Sequence, residues 1–165
     1  MLRKFLARGL LAVLLVFVAL QLVPYGRSHE NPPVRGEPAW DSSETRALAQ
    51  RACFDCHSNE TQWPWYSNVA PVSWLVQYDV DEGRAKMNFS TWNVTQGEGD
   101  EAASALKEGE MPPYAYVAMH GHARLTPQET AQLVQGFAKT LGGGEGKGER
   151  LSKEADEDDE RGEGR

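Results

Sequence analysis

The sequence predicts an all-α fold. Three observations carry this: helix-capping patterns recur through the middle of the chain, apolar residues there repeat at helical spacing, and no stretch alternates as a strand would. The 165 residues also divide by composition into an apolar N-terminus, a mixed centre and a Gly-rich, acidic C-terminus. The folded unit is therefore expected over residues 38–141, a single domain of about a hundred residues.

The first element is an apolar helix over residues 1–24. Arg3, Lys4 and Arg8 precede the run from Gly9 to Val23, which only Gln21 interrupts. Fifteen residues of helix reach about 22 Å at roughly 1.5 Å per residue, short of a hydrocarbon core of about 30 Å. Starting at Phe5, with Arg8 reaching back to the headgroups, nearly suffices. No A-x-A-like cleavage pattern follows in Leu22–Arg27, so an uncleaved anchor is expected rather than a removed signal. It would make this a single-pass protein of the bacterial cell membrane, with its cations inside and the rest exported to the periplasm or cell exterior. Residues 25–37, polar and proline-bearing, read as an extended linker.

Four helices are expected within the domain. Asp41-Ser-Ser-Glu44 offers a capping box opening a helix to about Ala52. Ala70-Pro71 starts a second, with Val72, Leu75, Val76 and Val80 on its apolar side. Asp100 caps a third through Leu106, stopped by Gly109. Thr126-Pro-Gln-Glu129, with Leu125 before it, opens the last, whose apolar face takes Ala131, Val134, Phe137, Ala138 and Leu141. Residues 142–165, rich in Gly and carrying Ala155-Asp-Glu-Asp-Asp-Glu160, cannot bury enough apolar surface to offset ordering and read as a disordered tail.

A net charge of -7 with no basic stripe beyond the N-terminus argues against a nucleic-acid partner. Taking the three N-terminal cations from that total leaves -10 on the remainder.

Cys53-Phe-Asp-Cys56-His57 is the decisive motif, and both cysteines of the chain lie in it. C-x-x-C-H is the attachment pattern of c-type haem. Two thiols three residues apart at the end of a helix can reach the two vinyl groups of one porphyrin, and the next residue puts an imidazole under the iron. Three other readings compete. Zinc could use both cysteines with two of His57, His120 and His122, although His120-Gly-His122 lacks the usual spacing. A thiol–disulfide motif would precede a helix in a strand–helix setting that is not found here. A plain structural disulfide is the third. For the sixth iron position Met111 is expected, in Glu110-Met-Pro-Pro113, where two prolines stiffen an irregular loop. Met87, Met119, His120 and His122 are reserves, His120 first. Trp63, Trp65, Tyr66 and Trp74 either bind haem propionates through their polar tips or fill the core. The porphyrin would supply much of the core, so the apo-chain is expected to fold poorly.

The chain resembles a family of small bacterial haem-binding domains related to c-type cytochromes. Cys53-Phe-Asp-Cys-His-Ser-Asn59, Pro64-Trp-Tyr-Ser67, Ala70-Pro-Val-Ser-Trp74, Asn88-Phe-Ser-Thr-Trp92 and Gly109-Glu-Met-Pro112 carry the resemblance, with Tyr116 and Ala123-Arg-Leu-Thr126. It implies a small cytochrome c-like helical domain around one covalent haem, with His57 as proximal and Met111 as distal iron ligand. The expected function is one-electron transfer, because a haem with His and Met ligands has no open position and Met raises the potential. The anionic surface suits a redox partner with a basic docking patch. A haem sensor with a labile sixth ligand is the alternative, and a peroxidase-like enzyme is the least favoured.

Overall fold

In the computed structural model, which describes residues 2–92 and 99–142, seven α-helices follow one another among the described residues. They are α1 Leu2–Leu20, α2 Ser43–Ala52, α3 Phe54–His57, α4 Val72–Lys86, α5 Gly99–Glu108, α6 Tyr114–Met119 and α7 Pro127–Thr140. Two 3-10 turns, Trp65–Asn68 and Gly121–Ala123, stand between them. The described residues hold no strand, only an isolated bridge between Gly36 and Thr91. The all-α expectation holds. Most of the expected tail, residues 143–165, lies outside the described residues.

Helix starts follow local chemistry, with small shifts. At α7 the capping box is complete: Glu129 N donates to Thr126 Oγ1 at 3.2 Å, and Thr126 N donates to Glu129 Oε2 at 2.7 Å. At α2 the cap is Ser42, one residue past Asp41, and its hydroxyl accepts from Thr45 N at 3.1 Å. Asp41 turns outward, its N–H donating to Thr140 Oγ1 at 3.0 Å. Pro71 caps α4 rather than opening it, and α5 already includes Gly99, which puts Asp100 inside its first turn. The buried face of α7 is rotated from expectation. Leu133 and Gly136 join Phe137 inside, whereas Ala131 and Ala138 are exposed.

The core lies where α2, α5 and α7 meet the segment after α4. Ala49, Phe54, Met87, Phe89, Leu106, Leu133, Phe137 and Leu141 form it, with Trp40 and Trp92 packed against it. Phe89 is its hub, with ring centroids 5.4 Å from Phe54, 5.2 Å from Trp40 and 5.9 Å from Phe137. Each buried Leu, Met or Phe of this cluster contributes roughly 1.5–3 kcal/mol by burial.

The membrane-spanning expectation is corrected. α1 is a helix, but Arg3, Lys4 and Arg8 occupy its first turns and it ends at Leu20. The uncharged stretch from Gly9 to Leu20 is about 18 Å long at roughly 1.5 Å per residue, well below a hydrocarbon core of about 30 Å. No described helix is long and apolar enough to cross a membrane, so the single-pass placement in the bacterial cell membrane is not supported. The end of the helix is fastened to the domain by the next side chain. Gln21 Nε2 donates to Ala70 O at 2.9 Å, and Gln21 Oε1 accepts from Ala70 N and Arg27 Nη2, both at 3.0 Å.

Residues 25–37 hold no helix, turn at Tyr25-Gly26 with Gly26 at φ +79, and are fastened along their length. Arg35 N donates to Ser90 O at 2.8 Å, and Trp92 N donates to Gly36 O at 3.1 Å. Asn31 Nδ2 donates to Thr61 O at 2.9 Å. Arg84 ties α4 to this strap and to the chain after His57. Its Nε donates to Ser58 O at 2.8 Å, its Nη1 to Glu30 O and its Nη2 to Asn31 Oδ1 and Thr61 Oγ1, each at 3.0 Å.

Candidate functional site

The site is built on a break between two helices. Cys53 closes α2, its N–H donating to Ala49 O at 2.8 Å, and α3 starts at the next residue. The single turn of α3 carries Cys56 and His57, with His57 N donating back to Cys53 O at 2.9 Å. Both thiols are free and half-buried.

The segment after α4 fixes this turn from the side. Phe89 N donates to His57 O at 2.8 Å, and His57 Nδ1 lies 3.1 Å from Met87 O. A carbonyl can only accept, so Nδ1 carries the proton and Nε2 holds the lone pair that a metal takes. A buried polar network locks the same loops together. Asn59 N donates to Ser90 Oγ at 2.9 Å, Asn88 Nδ2 to Asn59 Oδ1 at 2.9 Å, and Ser58 Oγ to Phe54 O at 2.8 Å. The Ser58-Asn59 and Asn88-Phe-Ser90 strings are thus two halves of one support.

α3 faces a cavity of about 460 Å³, within the range of roughly 300–1,000 Å³ typical of cofactor sites. Cys53, Cys56 and His57 line one side, and Met111, Pro112 and Pro113 another. Ala102, Ala105 and Leu106 come from α5, Phe137 from α7 and Gly83 and Met87 from the end of α4. The structure therefore brings all four residues expected from sequence to one cavity. Gly83 is needed where it stands: a Cβ there would collide with the backbone of Cys56. Gly109 has φ +76 and turns the chain out of α5, after which Glu110 N and Met111 N both donate to Ala105 O, at 2.9 and 3.2 Å.

Electrostatics set the cavity apart from reactive-thiol sites. Burial above all, then the neighbouring thiol, pushes Cys53 up to about 12. Burial and then the charges of Asp79 and Asp55 push Cys56 up to about 12. Thiols held protonated are poor nucleophiles for disulfide exchange. Among the described residues no group of three or more His, Cys, Asp or Glu side chains converges as a metal site, which removes support from the zinc reading. The cavity rim is acidic, with Asp79, Glu82, Glu101, Glu108 and Glu110, and Lys86 as its one cation among the described lining residues.

His120 is used elsewhere. Its Nδ1 lies 3.0 Å from Tyr116 O, and Tyr66 Oη lies 3.0 Å from its Nε2. With Nδ1 donating to the carbonyl, Nε2 accepts from the phenol, and neither nitrogen is directed to the cavity. The aromatic cluster stands away from the cavity. Trp63 stacks on His29 at 4.7 Å, Trp65 is 79% exposed, and none of Trp63, Trp65, Tyr66 and Trp74 lines the cavity. Sequence reasoning missed the pairing of Tyr116 with Asp55, whose Oδ2 accepts the phenol proton at 2.6 Å. Burial first, then that carboxylate, raises Tyr116 far above the ordinary phenol range.

The space and the donor set fit a haem: two thiols, an imidazole and a thioether around a mostly apolar cavity, in a helical domain. The class these features define is a haem-binding protein. The match to known families gives the same answer. Residues 15–139 match the haem-binding domain family, and the chain belongs to it. It is also similar to the cytochrome c peroxidase Ccp of Escherichia coli (strain K12), 23% identical over 100 residues. That alignment covers 56% of this chain and 22% of the peroxidase, so the chain spans under a quarter of that protein's length. No solved structure matches.

Proposed function

We propose that this chain is a monohaem c-type electron carrier. One haem c is attached through Cys53 and Cys56, and its iron is held by His57 and Met111. The convergence of these four side chains on one cavity is the observation that carries the reading. The haem supplies a one-electron couple between ferrous and ferric iron. The protein supplies position. α3 sets the thiols on one turn, Met87 O orients the imidazole, and the Ala105 carbonyl holds the loop that bears the thioether. Both ring nitrogens of His120 are engaged, which favours Met111 over it as distal ligand. A haem held by both His57 and Met111 would have no open position for substrate and would suit one-electron transfer.

The carboxylates along the cavity would meet a partner that docks there, so the fitting partner is a redox protein with a basic patch. Electron exchange with such a partner falls as salt is added; a salt-independent rate removes this docking model.

The absorption spectrum before and after acid–acetone extraction tests the reading. Retained haem with a weak Met–iron charge-transfer band in the oxidised form is the expected result. Haem lost on extraction defeats covalent attachment. A second reading, a haem module with a labile sixth ligand, draws on the 36% exposure of Met111 and on the similarity to a cytochrome c peroxidase. Carbon monoxide binding to the reduced protein distinguishes it.

A further inference from the structure

We propose that Tyr116 and Asp55 form a clasp that helps to hold the Met111 loop over the haem cavity, so that their hydrogen bond restrains the sixth iron position from opening. The inference rests on the reading of Met111 as distal ligand and goes beyond it.

The loop is fixed at two ends. On one side the Met111 and Glu110 amides hang on Ala105 O. On the other the chain passes through Pro112 and Pro113 into α6, whose first turn closes with Val117 N donating to Pro113 O at 3.0 Å. α6 has six residues and buries none of them. With only Tyr116 and Val117 half-buried, apolar packing is thin, and intrinsic propensity does not hold so short a helix in place. Its attachment comes from specific contacts. Tyr116 lines the cavity and donates its phenol proton to Asp55 Oδ2 at 2.6 Å, on the turn between the two cysteines. The other oxygen of Asp55 accepts from Gln62 N at 2.9 Å, so the acceptor is itself fixed. Behind Tyr116, the His120 ring stacks at 4.2 Å and 23°, and Tyr66 holds His120 from the body of the domain.

The bond therefore couples the proximal turn to the distal loop across the cavity. While it holds, the stiff stretch from Met111 to Tyr116 keeps the thioether at the cavity. When it breaks, α6 loses its tie to the proximal turn and keeps only half-buried contacts through Tyr116 and Val117, and the Met111 position opens more readily to a small neutral diatomic ligand.

The test uses the haem-loaded full chain and Tyr116→Phe, which removes the phenol oxygen but leaves the ring on His120. Wild type is expected to keep the Met–iron charge-transfer band and exclude carbon monoxide. Tyr116→Phe is expected to lose most of the band and to bind carbon monoxide when reduced. Asp55→Ala should copy it, while Asp55→Asn, still able to bond the phenol, should retain wild-type behaviour. A Tyr116→Phe protein with the full band and no carbon monoxide binding overturns the clasp. Hydrogen exchange gives an independent reading: amides of residues 111–119 should exchange faster in Tyr116→Phe, and unchanged exchange also overturns it. A wild type without the band defeats Met111 ligation, a failure of the proposed function, and the exchange result then decides the clasp alone.

Discussion

Gly83 is a position at which a single methyl group would disturb the whole site. A Cβ there would meet the carbonyl carbon and Cβ of Cys56, both 2.9 Å away, so α4 rests directly on the turn that bears the thiols. Gly83→Ala forces that turn or α4 to move, at about 1–3 kcal/mol for overpacking. Because the yielding part is the attachment turn, haem bound per chain should fall together with the melting temperature. Haem content and melting equal to wild type would show that the close approach is dispensable. At this scale the sequence was most legible where spacing is itself chemistry. Cys53, Cys56 and His57 form a local pattern, and Met111 sits in a loop that its prolines announce. The Tyr116–Asp55 bond joins residues 61 apart and leaves no local trace. The tryptophans misled because an indole suits a half-wet surface as well as a core, and Trp65 took the surface.

Helices were legible as elements, but their ends and neighbours less so. The capping box of α7 is a local pattern and formed as read; the α2 cap moved to Ser42 because Asp41 is drawn to the end of α7. The apolar N-terminal run did become a helix, α1, yet helicity and spanning length are different requirements and its cations leave too short an apolar stretch. The anchors of the strap over residues 25–37 are long-range hydrogen bonds that composition does not encode. One of its contacts gives a pH prediction. Glu37 accepts from Arg46 Nε at 2.7 Å and Nη2 at 2.6 Å, and from Trp40 Nε1 at 2.8 Å. The Arg46 bonds hold its carboxyl below the ordinary carboxylate range, against the opposing effect of burial. A depressed folded pKa adds stability above the unfolded value and loses it as pH falls through the folded one. Glu37→Gln should then be less stable by about 1 kcal/mol at neutral pH, with both ends of the pair part-exposed. Denaturant titrations across the acid range should show that difference closing as pH drops. A gap that stays constant with pH would mean that packing, and not the charge, is what Glu37 contributes.

At the scale of the whole molecule, the cavity and the core share walls. Met87, Leu106 and Phe137 belong to the apolar cluster and also line the cavity, so the core is complete only with something against that side. An empty space of about 460 Å³ would cost about 11 kcal/mol at roughly 24 cal/mol per Å³ if it stayed dry and enclosed. That figure is a ceiling, because the cavity is open to water along its acidic rim, and it is set against the roughly 5–15 kcal/mol that holds a domain together. The proposed haem would then be as much a structural element as a redox one. Covalent attachment matters here, because a haem that cannot leave fills the cavity at any dilution, whereas a bound one stabilises only in proportion to its free concentration. The double variant Cys53→Ala/Cys56→Ala, expressed where haem attachment operates, should show lower helical circular dichroism and broad melting without a sharp transition. Added free haem should restore part of both, through His57. A variant that melts as sharply and as high as the haem-bearing protein would mean that α2, α5 and α7 close on themselves, and that the haem contributes chemistry alone.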